Sequence, residues 1–279
     1  MSFTDARGGV ELTLSARGAG FAAIQKCLEL HSEVAPLTPA EKFFGVSPLA
    51  QNARSWYLGA LGEIVVSEKL EQLGEDWHVI NGLPAGVSGS DIDHVVVGPA
   101  GVFTINMKAH AEKKVRAAGN SLRLNGFKFN SVGDAQLAAA SASKLLTAAV
   151  GRPITVTPLI VMVGLSQMHY GVRRREVDVV TSSGIVRYLR RRKRVLSGDA
   201  IAEIADVAGR RGTWHRDGVV LDDSEHLVQR FESLRHEVDA AAATRKVWSI
   251  LGKLVVVLLG FWVCAHLVEM VAAVVAGSY

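Results

Sequence analysis

Glu63, Asp93 and Lys108 are the side chains whose types and spacing could do chemistry. Two carboxylates can hold a hard divalent cation through oxygen. A lysine beside them can offset negative charge that develops in a reaction. Gly59 and Gly62 precede the acid in NARSWYLGALGEIVVSEKLEQL, residues 52–73. Asp93 and Lys108 lie in two β-rich runs, residues 91–97 and 102–108, parted by Gly98-Pro99-Ala100-Gly101. Taken without Glu63, a solvated Asp91–Lys108 ion pair worth under about 1 kcal/mol accounts for the hairpin charges.

Residues 52–73 read as a helix with Gly74 just past its end. On it Glu63 shares a face with Trp56, Gly59, Ala60, Val66 and Leu70. A carboxylate among such neighbours needs a cation or a donor. The two runs read as a β-hairpin. With Pro99-Ala100 at the turn, paired residue numbers sum to 199. Val97 then faces Val102, Val95 faces Thr104, Asp93 faces Asn106 and Asp91 faces Lys108. A slip of one residue would send these polar groups to opposite faces. The expectation is that the helical acid and the polar end of the hairpin point into one hollow. His94 falls on the other hairpin face from Asp93 and reads as packing. His110 lies near Lys108 with no evident partner.

Further strands are expected at residues 77–81, 113–117, 121–125, 154–163 and 176–180. Helices are expected at 20–33, 134–150, 183–192, 197–212 and 223–246. This order gives an α/β fold with a mixed sheet.

The run Gly59-Ala60-Leu61-Gly62-Glu63, with IDHVVVGPAGVFTINMK from Ile92 to Lys108, resembles the nuclease-related domain, NERD, a branch of the PD-(D/E)XK superfamily. The resemblance covers roughly residues 55–163 and implies a restriction-endonuclease-like mixed sheet flanked by helices. It implies Mg²⁺-dependent hydrolysis of phosphodiester bonds in DNA or RNA. Glu63 becomes the helical acid, Asp93 the central metal ligand and Lys108 the residue that orients or activates water. Gln136 matches a glutamine that the family often has at the start of the next helix. Glu63, Asp93, Asn106 and the Met107 carbonyl are the implied metal ligands. Asn106 departs from the pattern, which has an acid two residues before the lysine. Either catalysis persists through Glu63 and Asp93, or the domain is a silent nucleic-acid-binding or interaction module.

Charge and hydropathy set the rest. The net charge is +4, unevenly spread. Arg187, Arg190, Arg191, Arg192, Lys193 and Arg194 form a basic run near residues 173–175, suited to nucleic-acid phosphates or anionic lipid and equally to a solvated helix end. The two cysteines, Cys27 and Cys264, make no disulfide framework or zinc spacing. Residues 86–91, GVSGSD, fall short of a dinucleotide fingerprint. Neither a nucleophile elbow nor a zinc-binding helix occurs, and no small-molecule cofactor is evident. The first residues lack the pattern of a secretory signal.

Hydrophobic residues make up 49 % of the chain, high for a soluble enzyme, and much of that excess sits in the last thirty or so residues. That apolar run, from Leu254 through Phe261, Trp262 and Val268, is long enough for one membrane span. Glu269 within it costs about 3 kcal/mol on insertion scales, which the many Val and Leu residues offset. With His266 it could mark a helix–helix contact joining copies of the chain. Arg245, Lys246 and Lys253 precede the span, which places the main domain on the cytoplasmic side. The expected divisions are an N-terminal extension (1–50), a NERD-like domain (51–165), a basic helical extension (166–246) and a membrane anchor (247–279).

Overall fold

The computed structural model describes residues 18–83, 92–110, 113–119, 121–129, 131–171, 176–214 and 224–276, excluding the side chains of Ala118, Ser224, Glu269 and residues 271–276. Asp91, the glycines at 86 and 89 and the arginines at 173–175 lie outside the described residues, as does the Glu269 side chain. The described residues form two compact units. One comprises those of Met1–Glu29 and Ala53–Val228, the other those of Leu30–Asn52 and Gln229–Tyr279.

In the first unit, strands β1 (His78–Leu83), β2 (Ile92–Gly98), β3 (Gly101–Ala109), β7 (Val156–Val163) and β9 (Asp178–Thr181) form a mixed sheet in that order. β1, β2 and β3 are mutually antiparallel, and β3, β7 and β9 are parallel. A second sheet has the order β6 (Phe127–Phe129), β5 (Ser121–Leu124), β4 (Lys114–Ala118) and β8 (Gln167–Tyr170). β3 and β7 leave the first sheet side by side and pair again, still parallel, as β4 and β8. The bond from His110 N to the Val163 carbonyl and that from Ser166 N to Lys113 carry the pairing across.

Helices cover both faces of the first sheet. On one face, α4 (Val132–Val150), α6 (Gly198–Gly209) and α7 (Arg211–Trp214) bury Ala139, Leu146, Ile204 and Trp214 against Val95, Val97 and Val102. On the other, α3 (Arg54–Leu70) and α5 (Ile185–Arg190) bury Val66, Leu70, Ile185 and Leu189 against Val96, Phe103, Ile105 and Met107. Helix α6 shows how locally this is encoded. Ser197 caps it through the Ala200 N–H, and its buried residues Ile201, Ile204, Val207 and Ala208 recur at helical spacing. Helix α1 (Phe21–Ser32) buries Phe21, Ile24, Cys27 and Leu28.

The second unit holds α2 (Pro39–Phe43) and most of α8 (Ser224–Ala276). The helix expected to stop near residue 246 does not stop. It continues without a break for 53 residues into the apolar tail. Large apolar residues from Val247 to Met270 are exposed all around it. Helix α8 is long and apolar enough to cross a membrane, by length and composition.

Candidate metal-binding and catalytic site

The expected hairpin register holds. His94 pairs with Ile105, Val95 with Thr104 and Gly98 with Gly101, all summing to 199. Beyond His94 the β2–β3 ladder ends, while β3 runs on beside β7 as far as Ala109. Asp93 bridges the opening: its Oδ2 accepts the Met107 backbone N–H at 2.5 Å. The carboxylate thus takes a backbone donor at the end of the paired region. In an extended strand a residue's N–H and C=O leave by the same edge. The Met107 carbonyl is therefore directed toward the same opening.

Asn106 and Lys108 alternate with Met107 and belong to the α4 face. They lie beside Ile160 and Met162 of β7, which pack on Val132 and Ala135 at the start of α4. The Asn106 Oδ1 is buried and accepts no hydrogen bond from the described residues, and Thr104 Oγ1, on the same face, is in the same state. A buried carbonyl oxygen left without a donor costs about 1–3 kcal/mol. A cation would remove that deficit.

Helix α3 corrects one expectation, for it lies on the reverse face. A Cβ built on Gly62 would stand 2.7 Å from the Met107 sulfur and 3.3 Å from the Ala109 Cβ, so bare backbone crosses this part of β3. Glu63, the next residue, is half-buried, with buried Ala60, Ser67 and Leu70 at i−3, i+4 and i+7. Trp56, expected on that face, is 42 % exposed. The acid and the Asn106–Lys108 pair therefore approach from opposite sides of the sheet. The open end of the hairpin, where Asp93 turns to Met107, is where the two faces meet. Met107 ties the parts together: its N–H holds Asp93 and its side chain lies under the residue next to Glu63.

His110 joins this neighbourhood. It stacks edge-on against Phe129 at 5.5 Å, and its Nε2 is buried without a partner among the described residues. Burial, then the charges of Lys113 and Lys108, push its pKa down, which keeps it neutral at pH 7. Its spacing two residues after Lys108 was the available signal. His94 is fully buried and bonds Asn81 across β1–β2 at 2.8 Å. Burial holds its pKa at about 3, as befits a packed residue.

Gln136 sits one turn into α4, exposed, and its amide donates to the Glu176 carboxylate at 3.0 Å. That partner precedes β9, two strands from β3. Among the described residues, no three His, Cys, Asp or Glu side chains gather as a metal cluster. The donors at the opening are hard oxygens: at most two carboxylates, supplemented by the neutral Asn106 and Met107 carbonyls. That composition suits Mg²⁺, which keeps several waters of its own.

The basic run is less available than its sequence implies. Arg190 binds the carbonyls of Gln72 and Leu73. Arg192 is paired with Asp178 and lies over the Tyr188 ring at 4.7 Å. Tyr188 donates to Asp178 at 2.5 Å, and burial together with that carboxylate pushes its pKa up to about 12. Arg194 meets Asp76 at 3.5 Å. The side chains of Arg187, Arg191 and Lys193 make no hydrogen bond or ion pair among the described residues. The amides of Val195 and Leu196 bond Pro99, so the run ends at the hairpin turn. Lys108 lies seven residues along β3 from Gly101, roughly 20 Å away. A cavity of about 470 Å³ at the turn is lined by Arg190, Arg192, Arg194, Asp76 and Trp77, apart from the opening at Met107.

No curated protein and no solved structure matches the chain. Residues 58–163, from the turn of α3 that precedes Glu63 to the end of β7, match the family model of the nuclease-related domain, NERD, and the chain carries that domain.

Proposed function

We propose that this chain is a membrane-tethered, divalent-metal-dependent nuclease that hydrolyses phosphodiester bonds of DNA or RNA. The observation that carries the reading is the open end of the β2–β3 hairpin, where Asp93 is clasped by Met107 beside the unsatisfied Asn106 oxygen. Glu63, Asp93, Asn106 and the Met107 carbonyl would hold Mg²⁺. Once bound, that ion would lower the pKa of a water and offset charge on the scissile phosphate. The Met107 N–H fixes one Asp93 oxygen. Lys108 supplies positive charge where the phosphorane-like oxygens gather electrons. The attacking water loses a proton as the P–O bond to the leaving group breaks, and the leaving oxygen gains one. The α8 helix holds the domain at a bilayer, and the cations before the span put it on the cytoplasmic side. Protease accessibility in sealed vesicles tests that orientation.

The test uses the full-length chain in detergent, incubated with single- and double-stranded DNA and RNA and Mg²⁺ or Mn²⁺. Cleavage should fall on the order of a hundredfold in Asp93→Ala and in Lys108→Ala. Cleavage unchanged by both substitutions refutes the assignment. Asn106 supports a second reading, a silent nucleic-acid-binding module at the membrane. It predicts salt-sensitive binding without cleavage.

A further inference from the structure

Residues 38–46, TPAEKFFGV, form a small built structure on the side of α8. Thr38 and Glu41 make a reciprocal capping box with Pro39 at the first helical position, so α2 is fixed despite its five residues. The Trp248 indole N–H donates to the Phe43 carbonyl at 2.7 Å, and Arg245 Nε donates to Gly45 at 3.1 Å. Gly45 has φ +72°, and a Cβ there would lie 2.6 Å from the Ala241 carbonyl and the Arg245 amide. The loop backbone therefore touches the helix backbone, an approach that only glycine allows.

This docking displays apolar surface instead of burying it. Phe43, Phe44 and Trp248 pack ring on ring at 5.0–5.3 Å, yet Phe43 is 60 % and Phe44 55 % exposed. Val46, Val247, Ile250 and Leu251 extend the exposed patch into the apolar run of α8. Trp248 lies six residues before Leu254, where the apolar run begins, about 9 Å along the axis. The headgroup layer flanking a hydrocarbon core is about 5–8 Å deep. Lys42, Arg245, Lys246 and Lys253 lie in the same two segments, cations that suit lipid phosphates.

We infer that the Phe43–Phe44–Trp248 cluster is a second membrane contact, seated in the headgroup layer of the bilayer that α8 crosses. The inference rests on α8 spanning that bilayer. Aromatic rings settle at this depth because one side meets methylenes and the other meets water and headgroups. The patch is continuous with the apolar run, which favours lipid over a second copy of the chain as its cover. With α8 inserted, the foot sets the depth and rotation of the helix where it leaves the membrane.

The experiment uses the full-length chain in vesicles of phosphatidylcholine with a minority of phosphatidylglycerol. Nitroxide labels are attached singly to Phe44→Cys, Val46→Cys, Val257→Cys and Glu237→Cys in a Cys264→Ser background, Cys27 being buried. Val46→Cys leaves all three rings in place, should the Phe44 variant fail to dock. Collision with oxygen and with a water-soluble nickel chelate reports depth. The labels at 44 and 46 should favour oxygen, as the label at 257 does, while the label at 237 favours the chelate. Labels at 44 and 46 that behave like 237 while 257 lies in lipid overturn the foot and leave the span standing. Labels at 44 and 46 shielded from both reagents overturn it in favour of a protein cover. A label at 257 that meets the chelate removes the span, and the foot with it.

Discussion

Asn106→Asp tests whether the hairpin opening is a cation seat. The substitution changes little in volume and turns a neutral carbonyl oxygen into half of a carboxylate. That oxygen is already buried and unsatisfied, which costs about 1–3 kcal/mol. A full charge there, next to the residue whose amide holds Asp93, adds repulsion that Lys108 offsets only in part. The metal-free variant should therefore be less stable than wild type by about 1–3 kcal/mol at pH 7. A bound divalent ion reverses the sign. A unit charge pair at 4 Å is worth about 4 kcal/mol at an effective dielectric of 20. Desolvation and carboxylate repulsion consume part of this, leaving about 1.5–3 kcal/mol, or roughly ten- to a hundredfold in Kd. Titration calorimetry with Mg²⁺ on the full chain measures the affinity, and thermal melts with and without Mg²⁺ measure the stability. A variant that binds Mg²⁺ no better than wild type, or matches wild type in stability without metal, would show that no cation belongs beside Asn106.

Three other outcomes follow. Gly62→Val forces a side chain into the buried Met107 and should lower stability by about 1–3 kcal/mol; melting within about 0.5 kcal/mol of wild type would mean that α3 does not lie so close to β3. His94 is held neutral by burial, with a pKa near 3 against an ordinary 6.5. Its contribution is complete above pH 6.5 and is lost as pH falls toward 3, by about 1.4 kcal/mol per pH unit; urea melts from pH 4 to 7 should show a slope that flattens in His94→Leu, and an unchanged slope sinks the point. Removing Arg187, Arg191 and Lys193 together should reduce the salt dependence of nucleic-acid binding by about two to three counterions; a slope identical to wild type places the nucleic-acid contact elsewhere.

How much of this could be read from residues alone depended on range. The β2–β3 register followed from a Gly-Pro-Ala-Gly turn, because a two-residue connection leaves few pairings. Helix α6 was local too, being encoded by a serine cap and apolar spacing. The side of the sheet taken by α3 was not local. Periodicity says which helix face is apolar but not which sheet face it covers, so α3 was expected on the Asn106 face and packs on the Met107 face. The pairing of Arg190 and Arg194 in the basic run was not local either. Their partners, the Gln72 and Leu73 carbonyls and Asp76, are more than a hundred residues away in sequence. Strand β6 was missed although Asn125-Gly126 marks its hairpin, since three residues with Phe127 exposed carry almost no pattern. The polar Gln167–Tyr170 was missed because its place comes from β4, not from its composition.

The asparagine also bears on what the opening would hold most tightly. With Glu63 and Asp93 as its two carboxylates, a divalent ion would bring the charge near zero, and Lys108 would make it positive. An acid at 106 would cancel the lysine and favour the ion by itself. The chain as it stands leaves positive charge over, and a phosphate group supplies the negative charge that Asn106 lacks. Mg²⁺ sites commonly complete themselves this way, with one or two carboxylates and a substrate phosphate. In the proposed nuclease, ion and nucleic acid would then strengthen one another's binding, each increasing the other's affinity by the same factor. The Asp93–Met107 clasp suits such a site, since a carboxylate pinned by a backbone amide keeps its position whether or not the ion is present.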